Sequence, residues 1–439
     1  MGNCSLFTQL EVALQHSAAD ETEVILTTRQ HGLTRLANGG IHQNVETVNT
    51  EARVRVVLGQ RVGVATSNAV DDAGLRALVD RAIAIARVSA PNSEFRGLPR
   101  PTASPTGDAL PPVPEACTPE QRAETAGDMV RMAQAHGVTA AGHISTTSGA
   151  LAVGNSHGIR AYHPFTEAGL MAIMTDGAAS GYAAWEGRQL AAAPVAEIAG
   201  RASATCRANV APDTAEPGAY TVILEPFAVA EMLAMLAYIG LGATPYQEGR
   251  SFMSEKIGER LAGENITLLD DTYHPEMVSL PFDFEGVTRQ TIPFFAQGIA
   301  RGVVYDSYTA GKEQRASTGH ALPAPNSSGP LPMHLVLAPG AHSREALIDG
   351  VDDGILITRF HYVNIVHPTE TILTGMTRDG TFRIKHGKIT RPVQNLRFTQ
   401  SVLDTLQRVT ALENRLTLVK DGIYCLIPAL RVEGFNFTS

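Results

Sequence analysis

The segment from Gly354 to Ser401 constrains the fold most, because its pattern is typical of consecutive antiparallel strands. Residues 355–366 are rich in β-branched and aromatic side chains, and both alternating faces are largely apolar. This pattern predicts a long central strand that is covered on both sides. Arg378-Asp379-Gly380 and His386-Gly387-Lys388 predict tight turns, and Asp-Gly in particular tolerates positive φ. We therefore expect an antiparallel meander with further strands at 371–377, 381–385 and 389–393.

The composition is that of a globular protein, with 44% hydrophobic and 18% charged residues in a chain of 439. That length predicts two or three domains. The net charge of −9 argues against an extended DNA-binding face, so we expect no direct contact with nucleic acid. The four cysteines are scattered, which is typical of reduced thiols in a cytoplasmic protein. We find no apolar run long enough for a membrane span.

The expected fold class is α+β, with two similar small N-terminal α/β subdomains followed by a β-rich C-terminal domain. Asn38-Gly39-Gly40-Ile41 is echoed by Asn155-Ser156-His157-Gly158-Ile159, and the predicted elements after each run keep the same order, which indicates an ancient duplication or two similar α+β subdomains. The C-terminal domain should contain an antiparallel sheet and a buried helix, since 227–239 is apolar nearly all round. The predicted boundaries are 1–97, a proline-rich linker at 98–118, 119–215 and 216–439.

Several polar groups resemble catalytic or metal sites but fit them poorly. His361 and His367 share a strand, yet six residues span ~20 Å, which is too far for one metal ion. Asp270-Asp271 and Asp352-Asp353 are adjacent carboxylates whose side chains should point apart. Ser307, Ser317 and His320 lie in one region with Asp306, but no GxSxG elbow surrounds either serine. Structural roles are the better interpretation for each group.

A candidate peptide cleft is formed by polar residues on or beside the central strand. Its residues are Arg359, His361, Asn364, Arg378 and Asp379. They have two interpretations. They form hydrogen bonds within the meander, or they line a sheet edge that binds a peptide by β-addition.

Three segments carry a resemblance to a known family. They are RF-YVN with LTGMTRDGTF and GKI-RPV-NLRF between 359 and 398, VYDSYTAGKEQRASTGHA at 304–321, and GRSFMSEKIGERL at 249–261. With Ala37-Asn38-Gly39-Gly40 they cover nearly the whole chain in order, and they resemble the TldD/PmbA family. Its members are described as modulators of DNA gyrase and as metallopeptidase-related proteins.

The resemblance also implies what this chain lacks. In the zinc-bearing branch of the family, the buried helix carries His-Glu-x-x-x-His, and a cysteine near the C-terminus completes the site. Here Glu231 remains, but no histidine occurs between His163 and His274. Cys425 lies in a predicted strand and is interpreted as a core residue. The chain therefore resembles the PmbA-type branch, with no catalytic residue, metal ligand or cofactor of its own.

Three functions remain open on this basis. The first is a metal-less subunit of a peptidase complex that acts on unfolded or small peptides, with zinc supplied by a TldD-type partner. The second is a stand-alone homodimer that binds a peptide or a gyrase-linked partner without cleaving it. The third is an independent hydrolase that uses an unrecognised site.

Overall fold

The computed structural model describes residues 3–101 and 117–439. The linker predicted at 98–118 falls mainly on residues outside these ranges. Within them, no helix combines the length and the apolar character that crossing a membrane would require.

The N-terminal part consists of two units with the same element order, helix, three strands and helix. The first unit comprises α1 (Asn3–His16), β1 (Glu21–Ala37), β2 (Gly40–Leu58), β3 (Arg61–Ser67) and α2 (Asp72–Val88). The second unit comprises α3 (Pro119–Ala135), β4 (Thr139–Asn155), β5 (Arg160–Asp176), β6 (Ala179–Gly187) and α4 (Val195–Ala208). Local sequence fixes the helix starts, since Asp71 caps α2 and Thr118 forms a capping box with Gln121 at α3. The repeated order agrees with the predicted duplication.

The two predicted subdomains share one six-stranded sheet, in the order β3-β2-β1-β4-β5-β6. β1 and β4, the first strands of the two units, pair antiparallel from Glu23↔Asn155 to Leu36↔Gly142. The sequence pattern predicts four strands here, at 140–147, 151–155, 160–165 and 167–176, which is wrong, because β4 and β5 are each continuous. Gly149 is required for close approach rather than for a turn. A Cβ there would lie 2.0 Å from the carbonyl oxygen of Thr28 on the neighbouring strand.

The C-terminal part follows from residue 218 onward. Its first elements are β7 (Gly218–Leu224), α5 (Pro226–Gly240), α6 (Ala243–Gln247), β8 (Leu268–Asp270), β9 (Ile292–Ala296), β10 (Ile299–Ala300), α7 (Ser307–Lys312), β11 (His334–Leu337) and α8 (Arg344–Asp349). Its remaining elements are β12 (Asp353–His367), β13 (Ile372–Lys385), β14 (Lys388–Pro392), β15 (Arg397–Ser401), α9 (Val402–Gln407), β16 (Val409–Leu412), β17 (Thr417–Asp421), β18 (Ile423–Ile427) and β19 (Leu430–Phe437).

These strands form a closed ring and an open sheet around one helix. The order β12-β7-β19-β15-β13 closes on itself because β13 also pairs with β12. The open sheet has the order β10-β9-β8-β11-β18-β17. α5 packs against strands of both, namely β7 and β12 of the ring and β17 and β18 of the sheet. The predicted mixed α+β class, with a β-rich C-terminal domain and a buried helix, is confirmed.

Two local predictions in this part were wrong. Arg378-Asp379-Gly380 does not reverse the chain. It lies within β13, where Asp379 (φ 53°) and Gly380 (φ 128°) form a bulge opposite β12. The last strand, predicted at 423–432, is two strands in different sheets, because Pro428 lies between β18 and β19 and cannot donate a ladder hydrogen bond. The turn at His386-Gly387 does connect β13 to β14.

Candidate functional site

Helix α5 carries one stripe that is less buried than the rest of its surface. The stripe consists of Glu231, Ala234, Met235 and Tyr238, spaced three, four and seven residues from the first, so they share one helical face. Tyr238 is 62% exposed, whereas Leu233, Leu236 and their apolar neighbours are buried. Glu231 is the acidic member of this stripe. α5 therefore presents one carboxylate and one tyrosine from an otherwise apolar helix.

The surroundings of Glu231 favour its protonated form. Burial, and to a smaller extent the nearby carboxylate of Asp421 at the end of β17, raise the pKa of Glu231 to about 7. Arg359 and a hydrogen bond from the Val363 backbone N–H act in the opposite direction. Burial also raises the pKa of Asp421. The carboxyl group of Glu231 thus lies near a second carboxyl group with a raised pKa, that of Asp421, and near the guanidinium of Arg359.

Arg359 and Asp379 of the predicted cleft form an ion pair. Arg359 Nε lies 2.7 Å from Asp379 Oδ2, and Nη2 contacts the same oxygen. Ser180 Oγ donates to Asp379 Oδ1 at 2.6 Å. The guanidinium lies over the ring of Tyr182, 4.6 Å from its centroid, and Tyr182 packs edge-on against Phe227 of α5. β6 of the N-terminal sheet is thereby fixed to the C-terminal ring.

The other predicted cleft residues lie around this pair with greater exposure. Arg378 Nε is 4.0 Å from Asp379 Oδ2, at the limit of an ion pair. His361 is exposed, and its pKa is lowered by partial desolvation and by Arg378 and Arg359. Asn364 is also exposed and donates its side-chain amide to the carbonyl oxygen of Tyr362 at 2.9 Å. The structure brings Arg359, Arg378 and Asp379 together and leaves Asn364 further along β12.

β12 loses one of its two neighbouring strands after Ile357, and its backbone is irregular at Tyr362. From Gly354 to Ile357 it pairs with β7 on one side and β13 on the other. Beyond Ile357 it pairs with β13 alone among the strands of the described ranges. Tyr362 has φ 57° and is 76% exposed, and the pairing register shifts around it. The second half of β12 thus has one edge without a neighbouring strand, next to the site of Glu231.

These residues do not fit a zinc site. α5 has two ionisable side chains, the carboxyl group of Glu231 and the phenol of Tyr238, and it has no imidazole. Within residues 3–101 and 117–439, no three histidine, cysteine, aspartate or glutamate side chains are placed to hold a metal ion. Cys425 is fully buried in β18, where burial raises the pKa of its thiol. Its environment agrees with the core role expected from the sequence.

The residues of the alternative triad have other partners. His320 is buried, and its ring nitrogens contact Thr318 Oγ1 (2.9 Å) and Asp270 (3.1 Å). Ser307 Oγ donates to Glu285, and Ser317 Oγ donates to the carbonyl oxygen of Tyr305. The sequence therefore did not reveal which carboxylate His320 contacts. Ser180, Tyr182 and Asp421 were also missed, because they lie far from β12 in sequence and no local pattern connects them.

Comparison with known proteins agrees with this architecture. Residues 217–439 match the family model described as the PmbA/TldA metallopeptidase C-terminal domain, and residues 22–86 match domain 1 of the same family. The matched C-terminal region is just over half of the chain. The chain belongs to the PmbA/TldD family.

Solved structures share the whole fold at low sequence identity. TldE from Thermococcus kodakarensis is 18% identical and superposes with a TM-score of 0.89 over 99% of this chain and 100% of its own. A candidate modulator of DNA gyrase from Thermotoga maritima is 19% identical, with a TM-score of 0.84 over 95% of this chain and 96% of its own. These similarities establish the fold.

The sequence relatives are matched over part of their length. The TldD metalloprotease homologue of Buchnera aphidicola (subsp. Schizaphis graminum) is 26% identical over 216 residues, which is 48% of this chain and 44% of that protein. The first three curated relatives are matched over only 24% to 44% of their own length.

Proposed function

We propose that this chain is the metal-less, peptide-contacting subunit of a TldD/PmbA-type peptidase complex that acts on unfolded or small peptides. Zinc and its bound water would come from a TldD-type partner chain. The proposal rests mainly on α5, whose open stripe carries a carboxylate but no imidazole in a family that includes proteins named metalloproteases. The name TldE, borne by a structural neighbour with 18% identity, is compatible with this role.

The free edge of β12 supports a role in peptide binding. An extended peptide can add to such an edge by backbone hydrogen bonds, while nearby side chains select its residues. Tyr362 and Val366, which are 76% and 55% exposed, flank this edge, and Tyr238 of α5 is exposed as well. Arg359 and Arg378 supply positive charge near it. Aromatic and cationic groups thus accompany a strand edge that no strand of the described ranges covers.

The assembly is tested by mixing this chain with a zinc-bearing TldD-type paralogue of the same organism. We expect co-purification, zinc in the mixture but not in this chain alone, and cleavage of an unfolded casein peptide only by the mixture. Metal analysis and peptide cleavage are measured for each chain and for the pair. Complete cleavage by this chain alone, insensitive to chelators, would exclude the proposal.

The proposed peptide contact is tested by lysine substitutions at two exposed valines, Val366 and Val88. Val366 lies on the free half of β12, and Val88 lies at the end of α2 with 84% exposure. A lysine on a strand edge opposes the addition of another strand. We expect Val366→Lys to weaken binding of a fluorescein-labelled unfolded peptide at least ~10-fold in a polarisation titration, a loss of about 1.4 kcal/mol. Val88→Lys should bind as the wild type does, and equal binding by both variants would contradict β-addition at β12.

A homodimeric binding protein without catalysis is the second candidate, and one surface favours it. Residues 41–49 of β2 are all exposed, including Ile41, Val45 and Val48. β3 pairs only with 52–58, so this part of β2 has β1 as its sole partner among the described strands. Light scattering on the purified chain distinguishes the two cases. A dimer that Val48→Lys dissociates, with full cellular function in the absence of any paralogue, would favour this candidate.

A further inference from the structure

A small cavity lies between the N-terminal sheet and the C-terminal domain, and none of Glu231, Arg359 and Asp379 lines it. Its volume is about 130 Å³. The N-terminal sheet contributes Thr27, Arg29, Leu151, Phe165 and Glu167, and the C-terminal domain contributes Val278, Ser279, Leu280, Phe284, Arg289, Met333, His334 and Tyr424. The walls are largely apolar, with cationic groups from both sides.

Arg289 is the unusual member of this wall. It is 2% exposed, and none of its three guanidinium nitrogens has a hydrogen-bond partner among the described residues. A guanidinium carries five N–H donors and stays charged in proteins. A buried charge without hydrogen bonds is costly, and buried polar groups are nearly always satisfied. The donors of Arg289 are therefore available to an acceptor in the cavity.

The carboxylates near Arg289 do not accept from it, because other donors occupy them. Asp270 accepts from the backbone N–H groups of Met333 (2.8 Å) and His334 (2.9 Å) and contacts His320 Nε2. Asp283 accepts from three backbone N–H groups, those of residues 285, 287 and 321, at 2.8 to 2.9 Å. Both carboxylates attract Arg289 through space without forming a hydrogen bond to it.

The single carboxylate that lines the cavity already has another partner. Glu167 is paired with Lys420, whose Nζ lies 2.8 Å from Oε2. Arg29 lies over the ring of Phe165, 5.8 Å from its centroid. His334 is neutral because burial and Arg289 lower the pKa of its ring to about 3, and its Nδ1 has no hydrogen-bond partner within the described chain. Two guanidinium groups thus face one carboxylate that already has a partner.

From this arrangement we infer a binding site for a small carboxylate that carries an aryl or branched apolar group, with Arg289 receiving the carboxylate. Arginine matches carboxylate geometry through paired N–H donors, and Phe165, Leu280 and Phe284 offer apolar contact. A water needs about 10–15 Å³ of such volume, so the cavity fits a ligand of roughly ten non-hydrogen atoms. The group belongs to a free acid or to the carboxyl terminus of a peptide.

The test uses two ligands of equal size and different charge, phenylacetate and phenylacetamide, titrated into the purified full chain by calorimetry. We expect phenylacetate to bind at least ~10-fold more tightly than the amide, because hydrogen bonds to a charged partner are the stronger ones. It should also raise the unfolding midpoint by ~1–2 °C at about ten times its Kd. Equal binding of the two ligands, or binding of neither, overturns the site and indicates a cavity that holds only water.

Substitutions in and outside the cavity test whether phenylacetate binds there. Arg289→Met should abolish the preference for phenylacetate, whereas Arg301→Met, which removes an exposed arginine, should keep it. Leu280→Trp fills the cavity without removing charge and should abolish binding even if the Arg289 variant does not fold. Retained binding in a folded Leu280→Trp variant contradicts the assignment. Once phenylacetate binds, comparison with Gly-Gly-Phe identifies the source of the carboxylate, because tighter binding of the tripeptide indicates a peptide carboxyl terminus and tighter binding of phenylacetate indicates a free acid. None of these measurements needs a partner chain, so they test the cavity independently of the proposed peptidase role.

Discussion

Arg359 of β12 binds Asp379 of β13 across a bulge, with 2.7 Å between Nε and Oδ2. The Asp379 side chain is 4% exposed and also accepts from Ser180 of the N-terminal sheet. One carboxylate therefore connects a strand distortion, a cation and the neighbouring domain. The positive φ of Asp379 is held in place by these contacts, which come from residues distant in sequence.

We expect Asp379→Asn to lower the free energy of unfolding by ~3 kcal/mol, because it leaves Arg359 partly buried without its counterion. Asparagine tolerates positive φ almost as aspartate does, so the change isolates the charge. Denaturant unfolding measures the effect. Asp353→Asn is the control, since Asp353 is 43% exposed and pairs with Arg383 and Lys385 at the surface, where we expect a loss below ~1 kcal/mol. Similar losses in both variants would argue against the buried pair.

The carboxyl group of Glu231 makes stability depend on pH. Its pKa in the folded chain, about 7, lies above the ordinary value of 4.5, so the unfolded chain releases its proton more readily. The contribution of the protonated group is complete below pH 4.5 and is lost as the pH rises to about 7. Glu231→Gln should thus be more stable than the wild type by ~2 kcal/mol at alkaline pH and nearly equal to it at acidic pH.

Unfolding titrations across this pH range check the Glu231 prediction. Glu259→Gln changes an exposed glutamate and should follow the wild-type curve throughout. A Glu231→Gln curve that runs parallel to the wild type at every pH would show that the carboxyl is not perturbed.

The Arg55 side chain connects the N-terminal sheet to the C-terminal domain. Its Nη2 lies 2.6 Å from Glu23 Oε2 and 2.9 Å from Glu285 Oε1, and both carboxylates are buried. Arg55→Met leaves two buried carboxylates without a cation, and we expect a loss of ~3–5 kcal/mol in calorimetric unfolding. Arg53→Met, two residues away and paired with the more exposed Glu51, should cost ~1 kcal/mol or less. If Arg55→Met lowers the free energy of unfolding only slightly, the Arg55 ion pairs do not stabilise the contact between the N-terminal sheet and the C-terminal domain.

The open stripe of α5 is tested by truncating two adjacent residues. Leu236 is fully buried between the ring and the open sheet, whereas Met235 lies on the stripe. Leu236→Ala should cost ~3 kcal/mol through lost burial and a cavity. Met235→Ala should cost under ~1.5 kcal/mol, because part of its side chain already contacts solvent. Urea unfolding of the two variants gives the comparison, and a reversed order would mean that α5 is rotated from the orientation described.

Much of the fold follows from local pattern. The caps of α2 and α3, the apolar α5 and the hairpin between β13 and β14 depend on neighbouring residues, and the sequence was sufficient to predict them. The duplication was visible as a repeated order of elements. Apart from the repeated order, which extends over the whole N-terminal part, these features share one property, which is that each is determined within about twenty residues.

The misplaced features depend on distant contacts. Asp379-Gly380 has the composition of a hairpin turn, yet Ser180 and Arg359 hold it as a bulge. Gly149 suggested a break, but β1 lies too close to tolerate a side chain there. Of the predicted cleft, Arg359, Arg378 and Asp379 lie near one another in the structure, whereas the contacts of Tyr182, Asp421 and Arg289 arise only when separate parts of the chain meet. Their function in peptide binding stays a prediction.

The pairing of β1 with β4 has an evolutionary consequence. Each is the opening strand of its own unit, and they run antiparallel, so equivalent edges meet as they do across the two-fold axis of a symmetric dimer. An ancestor that held a single unit would have covered its bare edge with a second copy of itself. Gene fusion would then have made that encounter intramolecular, and the two units would have been free to diverge while each still shields the edge of the other from strand addition.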